Sequence, residues 1–313
     1  MAPPADWNGV PEEEVREAFL KVKRHQHGGQ RAPHKPLLLL MAIANVRQGK
    51  GPSIAFEDIE KQLGELLAEF GRPNSGNPNP SYPFWRLQND GGLWVIHERD
   101  EVLDIAPEDS SGNARVSALR QADAHGGFAP TLYERLASDA DLAHRIAGDL
   151  LEDNWPRSRH AQIVDAIGLP WEPSSRPSTR PPRSPAFRED LLRLYEHRCA
   201  MCGFDAMIGG HSVGLEAAHI QWHSQDGPDQ PDNGLLLCSL HHWALDTGAL
   251  GLDDDHRILV SQNVIGGQQV QELLLDLGGS AIRMPLERDA KPAPHFLEWH
   301  RSEVFRMPAR EVS

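Results

Sequence analysis

The three cysteines of this 313-residue chain are what most restrict how it can fold. Cys199 and Cys202 form a C-x2-C knuckle, and Cys238 with His241 forms C-x2-H. Two thiolate-rich knuckles at this spacing satisfy the tetrahedral preference of Zn²⁺, whose closed structural sites commonly use three thiolates and one imidazole. The competing reading, ordinary buried thiols, does not explain why every cysteine falls into one motif pair. An odd number of cysteines cannot make a fully paired disulfide framework. The N-terminus MAPPADWNGVPEEE lacks the basic and apolar regions of a secretory signal, so a reducing cytoplasm is expected. The longest apolar run, PLLLLMAIANV (36–46), falls short of the roughly 20 residues of a membrane span, and no membrane partner is expected.

The chain divides at PSSRPSTRPPRSP (173–185), which holds only Pro, Ser, Thr and Arg and offers nothing to a core. This predicts a first domain over 1–170, a linker over 171–186 and a second domain over 187–313. In the first domain, 11–25 reads as an amphipathic helix with an acidic first turn and basic last turn. The stretch 36–49 reads as a helix apolar nearly all round, and 56–71 as a helix carrying Ile59, Leu63, Leu66, Leu67 and Phe70. FWRLQNDGGLWVIH (84–97) reads as strand, turn, strand, and 130–168 as helical with a break at Asn154-Trp155-Pro156. Helices followed by a hairpin imply an α+β, winged-helix-like DNA-binding domain by fold analogy.

Past the linker, 187–198 is a short amphipathic helix, 215–220 a strand, 221–234 a loop, and 235–248 extended and then helical up to Gly248. The segment 257–261 supplies another strand. Zinc leaves His219, Asn233 and His242 unaccounted for. The run CAMCG, LEAAHI, DNG and LC-x2-HH resembles the HNH endonuclease family with its ββα-metal fold, in particular its zinc-bearing subgroup. The resemblance implies His219 as general base, Asn233 as support of the catalytic loop, and His242 as ligand of a catalytic divalent ion, Mg²⁺ or similar. An imidazole can deprotonate water near neutral pH, and a metal stabilises charge on the phosphoryl and leaving oxygens. Neighbours 241 and 242 lie about 100° apart around a helix, so one can face zinc and the other a cleft. Ala218 stands where many such enzymes carry an Asp ligand, leaving Asn233, Glu216 and Asp246 as candidates for the second ligand. Glu216 is the weakest of them, since odd separations on a strand alternate faces.

The net charge of −14 speaks against general affinity for nucleic acid, but local distribution decides. KVKRHQHGGQRAPHKP (21–36) holds Lys21, Lys23, Arg24, Arg31 and Lys35 with no acid, and Gly28-Gly29 would let backbone approach a phosphate. Downstream, Tyr82-Pro83-Phe84-Trp85-Arg86 follows a stretch rich in turn formers. Arg31-Ala32-Pro33-His34-Lys35-Pro36 before an apolar helix, with Tyr82-Pro83 further on, resembles the sulfur-binding domain of McrA-like type IV restriction enzymes, which cut phosphorothioated DNA. A non-bridging sulfur is larger and less strongly hydrated than oxygen. Its recognition calls for an apolar wall, here Tyr82 and Pro83, within a rim of Arg31, His34 and Lys35, with Arg86 on backbone or base edge. The expected partner is therefore double-stranded phosphorothioated DNA, and cutting both strands with one site per chain points to a homodimer. Two rivals are an HNH nuclease that reads a modified base and a non-catalytic DNA sensor with a remnant HNH fold.

Overall fold

The computed structural model describes residues 6–24, 26–27, 30–73, 79–170 and 185–311, apart from the side chains of 26, 27, 30, 31 and 185. Residues 171–184 of the predicted linker 171–186, Gly28-Gly29 and the Arg31 side chain lie outside what is described. The described chain forms two units. One holds residues up to Asn154 and from His160 to 170, and the other holds Trp155–Arg159 and everything from 185 onward.

The first unit begins with α1 (Glu12–Leu20), a two-residue pair β1 (Gln26–His27) and β2 (Gln30–Arg31), and α2 (His34–Arg47). Helix α1 is shorter than predicted: it stops at Leu20, and the basic residues expected in its last turn follow it as non-helical chain. Helix α2 is apolar on all sides because it is buried on all sides, with α3, α4, α7 and α8 packed around it. It begins at His34, and Pro36 is tolerated because the first turn has no amide partner to lose. Then come β3 (Ser53–Ala55), α3 (Phe56–Phe70), α4 (Ser81–Arg86), β4 (Trp94–Ile96), α5 (Arg99–Ile105), α6 (Val116–Gln121) and β5 (His125–Phe128). Helices α7 (Pro130–Ser138), α8 (Ala140–Asn154) and α9 (Arg157–Ile167), the last counted with this unit from His160 onward, complete the run, broken at 154–156.

The hairpin predicted over 84–97 does not form. Phe84, Trp85 and Leu87 are all fully buried, a pattern of adjacent positions that a one-faced strand cannot provide, and they belong to α4 and the 3-10 turn after it. Only 94–96 is strand, and its partner is β5 in an antiparallel sheet of order β3-β5-β4. An aromatic chain of Phe56, Phe84, Trp94 and Phe128, with centroids 5.0, 6.1 and 6.2 Å apart, backs this sheet. Gly126 makes room for it, since a Cβ there would lie 2.6 Å from Phe84 and 2.7 Å from Trp94.

The second unit opens with α10 (Pro185–Leu194), so the last two residues of the predicted linker are its first turn. A small exposed hairpin, β6 (Met207–Ile208) with β7 (His211–Ser212), leads into β8 (Leu215–His219). Strand β8 pairs antiparallel with β9 (Gly234–Cys238), from Leu215 opposite Cys238 to His219 opposite Gly234. Helix α11 (Ser239–Asp246) follows at once, completing a ββα unit with α10 packed on both strands. Beyond it lie the hairpin β10 (Leu250–Leu252) and β11 (Ile258–Val260), α12 (Gln268–Leu273) and α13 (Pro294–Glu303). Phe187, Leu191, Tyr195, the Leu235–Leu237 run, Leu245 and Phe296 share one core. Among the described residues no helix is long and apolar enough to cross a membrane.

Candidate functional site

In the first unit, the start of α2 and residues Tyr82, Pro83 and Arg86 of α4 line a cavity of about 390 Å³. Tyr82 and Pro83 supply apolar wall, with Ala32 beside them, and Tyr82 keeps 45% of its surface exposed. Lys23, Arg24, Lys35 and Arg86 contribute the cations and His34 an imidazole, Ser111 and Asn113 close the ring, and among the described residues no carboxylate lines it. The structure thus gathers His34, Lys35, Tyr82, Pro83 and Arg86 around one cavity.

Most of these cations are anchored to the protein. Lys35 pairs with Asp90, both nearly inaccessible to solvent. Arg24 holds Asp153 at 2.5 Å and Asn154 at 2.9 Å, and Lys21 pairs with Glu17 at 2.7 Å. Three of the five basic residues read along 21–36 are therefore paired, Arg24 and Lys35 with acids distant in sequence and Lys21 with Glu17 four residues before it. Arg86 donates from Nε to Asn113 Oδ1 and from Nη2 to the Ser111 carbonyl, both at 2.6 Å. The Asn113 amide in turn donates to Asp109 and holds that carboxyl below its usual range.

In the second unit, Cys199, Cys202, Cys238 and His241 place one ligand atom each within 4.8 Å of the others. His241 turns Nδ1 to the sulfurs, 3.2 Å from Cys238 and 3.6 Å from Cys199, while Nε2 meets the Leu273 carbonyl at 3.0 Å. That second contact fixes the tautomer with its lone pair toward the thiols, as a metal-binding imidazole requires. Burial opposes charge on His241, but Cys199 and Cys238 raise its pKa to about 10; a metal ion bound there would take the place of that proton. Three soft sulfurs and a correctly turned imidazole fit zinc.

Across the ββα unit, His219 ends β8 with its side chain only 4% exposed. Its Nε2 lies 2.7 Å from Asp229 Oδ1, and its ring stacks on Phe187 at 4.4 Å. Asn233 is fully buried: Oδ1 accepts from the Gln221 amide, while Nδ2 donates to the carbonyls of Gln221 and Pro228 at 3.1 and 3.0 Å. It pins the 221–233 loop to itself. His242 lies between two carboxylates, Glu216 2.6 Å from Nδ1 and Asp246 3.2 Å from Nε2. Burial works against its protonation, yet Asp246 and then Glu216 lift its pKa to about 9. An imidazole flanked by two carboxylates is a donor set that suits a hard divalent ion. Glu216, the weakest candidate in sequence, is thus in direct contact with His242.

Residues 12–172, just over half of the chain, match the family model of the ScoMcrA-like DNA sulfur-binding domain. The chain belongs to this sulfur-binding family. Residues 199–253 match the HNH endonuclease model, which makes the chain a DNA endonuclease of the HNH class. Among solved structures, it is similar to the sulfur binding domain of ScoMcrA complexed with phosphorothioated DNA, at 22% identity and a TM-score of 0.42, covering 49% of this chain and 94% of that one. The corresponding SprMcrA domain complexed with phosphorothioated DNA shows 20% identity and a TM-score of 0.41, over 51% and 95% of the two chains. The type IV phosphorothioation-dependent restriction endonuclease ScoMcrA shows 21% identity and 0.42, over 54% of this chain and 31% of that longer one. No curated protein matches the chain.

Within the sulfur-binding domain, sequence reasoning missed Ser111 and Asn113 as cavity residues. DSSGN (109–113) has the composition of a side-chain-capped turn, and Asp109 Oδ1 does cap the amides of Ser111 and Asn113; that composition was the available signal. In the HNH domain the omitted residue is Asp229, which sits in the segment read only as loop.

Proposed function

We propose that the chain is a modification-dependent restriction endonuclease whose sulfur-binding domain recognises phosphorothioated DNA and whose HNH domain hydrolyses the phosphodiester backbone. We assign the first role to 1–170 and the second to 187–313, joined through 171–186. The observation that carries this reading is the cavity at α2 and α4, with an apolar Tyr82–Pro83 wall, a cationic rim and, among the described residues, no lining carboxylate. Phosphate charge is common to plain and modified DNA and supplies affinity, so discrimination falls to the apolar wall. Arg31, His34, Lys35 and Arg86 complete the proposed DNA-contacting set. The sheet order β3-β5-β4, preceded by helices, supports the winged-helix-like reading.

At the HNH centre, His219 acts as general base: it takes a proton from water as the water oxygen bonds to phosphorus. The bond to the leaving oxygen breaks, and that oxygen keeps the electron pair and is protonated from solvent. Asn233 holds the loop beside the base. His242 with Asp246 or Glu216 would hold a divalent ion such as Mg²⁺, which would supply charge stabilisation to the phosphoryl group. Cys199, Cys202, Cys238 and His241, whose ligand atoms lie within 4.8 Å of one another, would hold a structural zinc. Two chains acting together account for cutting of both strands.

The test uses duplexes of one sequence, with and without a phosphorothioate and with and without divalent ion. Cleavage confined to the modified duplex plus metal is expected. Equal cleavage of both duplexes returns the chain to an HNH nuclease of other target choice, and binding without cleavage under every condition points to a sensor.

A further inference from the structure

Building on the reading of His219 as base, we propose that Asp229 is its positioning residue, fixing the tautomer and aim of the imidazole. The carboxylate meets Nε2 at 2.7 Å, and Phe187 covers the ring face at 4.4 Å with planes 22° apart, so the ring is held at both edge and face. A neutral imidazole carries one N–H and one lone pair, whereas a carboxylate only accepts. Asp229 therefore accepts a hydrogen bond from Nε2–H, which puts the lone pair on Nδ1, the nitrogen that receives the proton from water.

The loop that carries Asp229 is built to hold it there. Asn233 Nδ2 bonds the carbonyl of Pro228, one peptide before Asp229, and the same side chain bonds both backbone groups of Gln221. Between these anchors the chain turns through Asp226 at φ +62° and Gly227, where a Cβ would lie 1.9 Å from the Gln221 carbonyl oxygen. The turn therefore admits only glycine at 227, and it brings Asp229 onto the base from a segment ten residues away in sequence. During the reaction, the imidazolium that forms on His219 is stabilised by a negative charge already in place. Asp229 keeps its charge throughout and touches no reacting atom.

The experiment measures kcat and KM of the full chain on one phosphorothioated duplex at saturating Mg²⁺ across pH 5–9, with melting temperature recorded in parallel. The variants are Asp229→Ala, Asp229→Asn, Asp229→Glu and His219→Ala. His223 is a second imidazole beside the base, its ring 5.8 Å from that of His219, so the series is repeated on a His223→Gln background. Asp229→Ala is expected to lower kcat at least about tenfold with KM and melting temperature little changed, and Asp229→Glu to recover part of the loss. Asp229→Asn is expected to move the acid limb of log kcat downward by about one pH unit, because the base loses its anionic neighbour. A shift that survives His223→Gln supports the proposal, and one that vanishes there overturns it. Asp229 variants within twofold of the original kcat, beside an inactive His219→Ala, overturn the proposal and leave the base reading standing. A fall in kcat together with melting temperature, with the acid limb unmoved, reduces Asp229 to a structural part. If His219→Ala still cuts at more than about a tenth of the original rate, the base reading fails and takes the proposal with it.

Discussion

The cavity of the first unit and the ββα centre of the second handle charge in opposite ways. Around the cavity, cations are tied down by acids that come from elsewhere in the fold: Asp90 for Lys35 and Asp153 for Arg24. In the ββα centre, carboxylates are turned onto imidazoles, Asp229 onto His219 and Glu216 with Asp246 onto His242. The first arrangement fixes the position of positive groups around an apolar wall. The second keeps imidazoles ready to exchange a proton for another positive partner. Recognition by shape thus calls for rigid charge, and hydrolysis for charge that can move.

The comparison breaks most visibly if the metal knuckles are not structural. Cys199→Ser removes a ligand from a cluster whose zinc affinity contributes roughly 10 kcal/mol or more to folding in small domains. Melting temperature of the second unit and bound zinc, measured by atomic absorption, are expected to fall together; a folded, zinc-free variant would separate the cluster from stability.

Next in size is Lys35. Because it forms a nearly buried pair with Asp90, Lys35→Ala leaves an uncompensated carboxylate, expected to destabilise the first unit by about 3–5 kcal/mol. Chemical denaturation checks this, and Lys35→Ala with Asp90→Ala in the same chain should recover much of the loss. If Lys35→Ala instead leaves stability intact and its whole effect is a flatter salt dependence of DNA binding, the pair with Asp90 is not structural and the contrast weakens.

His300 sharpens the picture of the second unit. Complete burial holds its pKa down near 4, against the modest pull of the Leu245 carbonyl that Nε2 meets at 3.0 Å. The folded unit therefore binds fewer protons than the unfolded chain between pH 6.5 and 4. Its contribution is fully present above pH 6.5 and is lost as pH falls toward 4, about 3 kcal/mol in all. His300→Gln, which keeps a donor for Leu245, should flatten stability measured by urea titration across that window.

The smallest effects separate the wall from the rim. Tyr82→Ala is expected to cost roughly tenfold in preference for phosphorothioated over plain duplex, with the salt slope unchanged. Lys23, which has no acid partner among the described residues, behaves differently: Lys23→Ala should weaken both duplexes alike and reduce the slope of log K against log salt by about 0.9. Fluorescence anisotropy at several salt concentrations reads both.

These differences also explain what was legible in the chain. The knuckles, His219, Asn233 and His242 fall within 199–242, where a hairpin and a helix follow one another, so motif spacing translates directly into proximity. The roles of Glu216 and Asp229 were not legible, because alternation along a strand says nothing about a helix packed on its edge, and a loop has no periodicity to read. In the first unit, long helices were visible from their apolar spacing, but 84–88 was misread because adjacent buried aromatics suit a short helix as well as a strand. Lys35 finds Asp90 and Arg24 finds Asp153 only through the tertiary fold, so a run without acids looked more cationic than it is.

The hydrogen-bond chain from Arg86 through Asn113 to Asp109 has a kinetic side. An arginine on a surface ordinarily surrenders considerable rotamer freedom when a ligand captures it, and that loss is subtracted from affinity. Here the freedom of Arg86 is already gone once the domain has folded, with Nε and Nη2 both anchored at 2.6 Å. Whatever reaches the cavity meets a guanidinium with little left to order. The gain should appear mainly as a longer residence time of the bound duplex rather than as faster arrival.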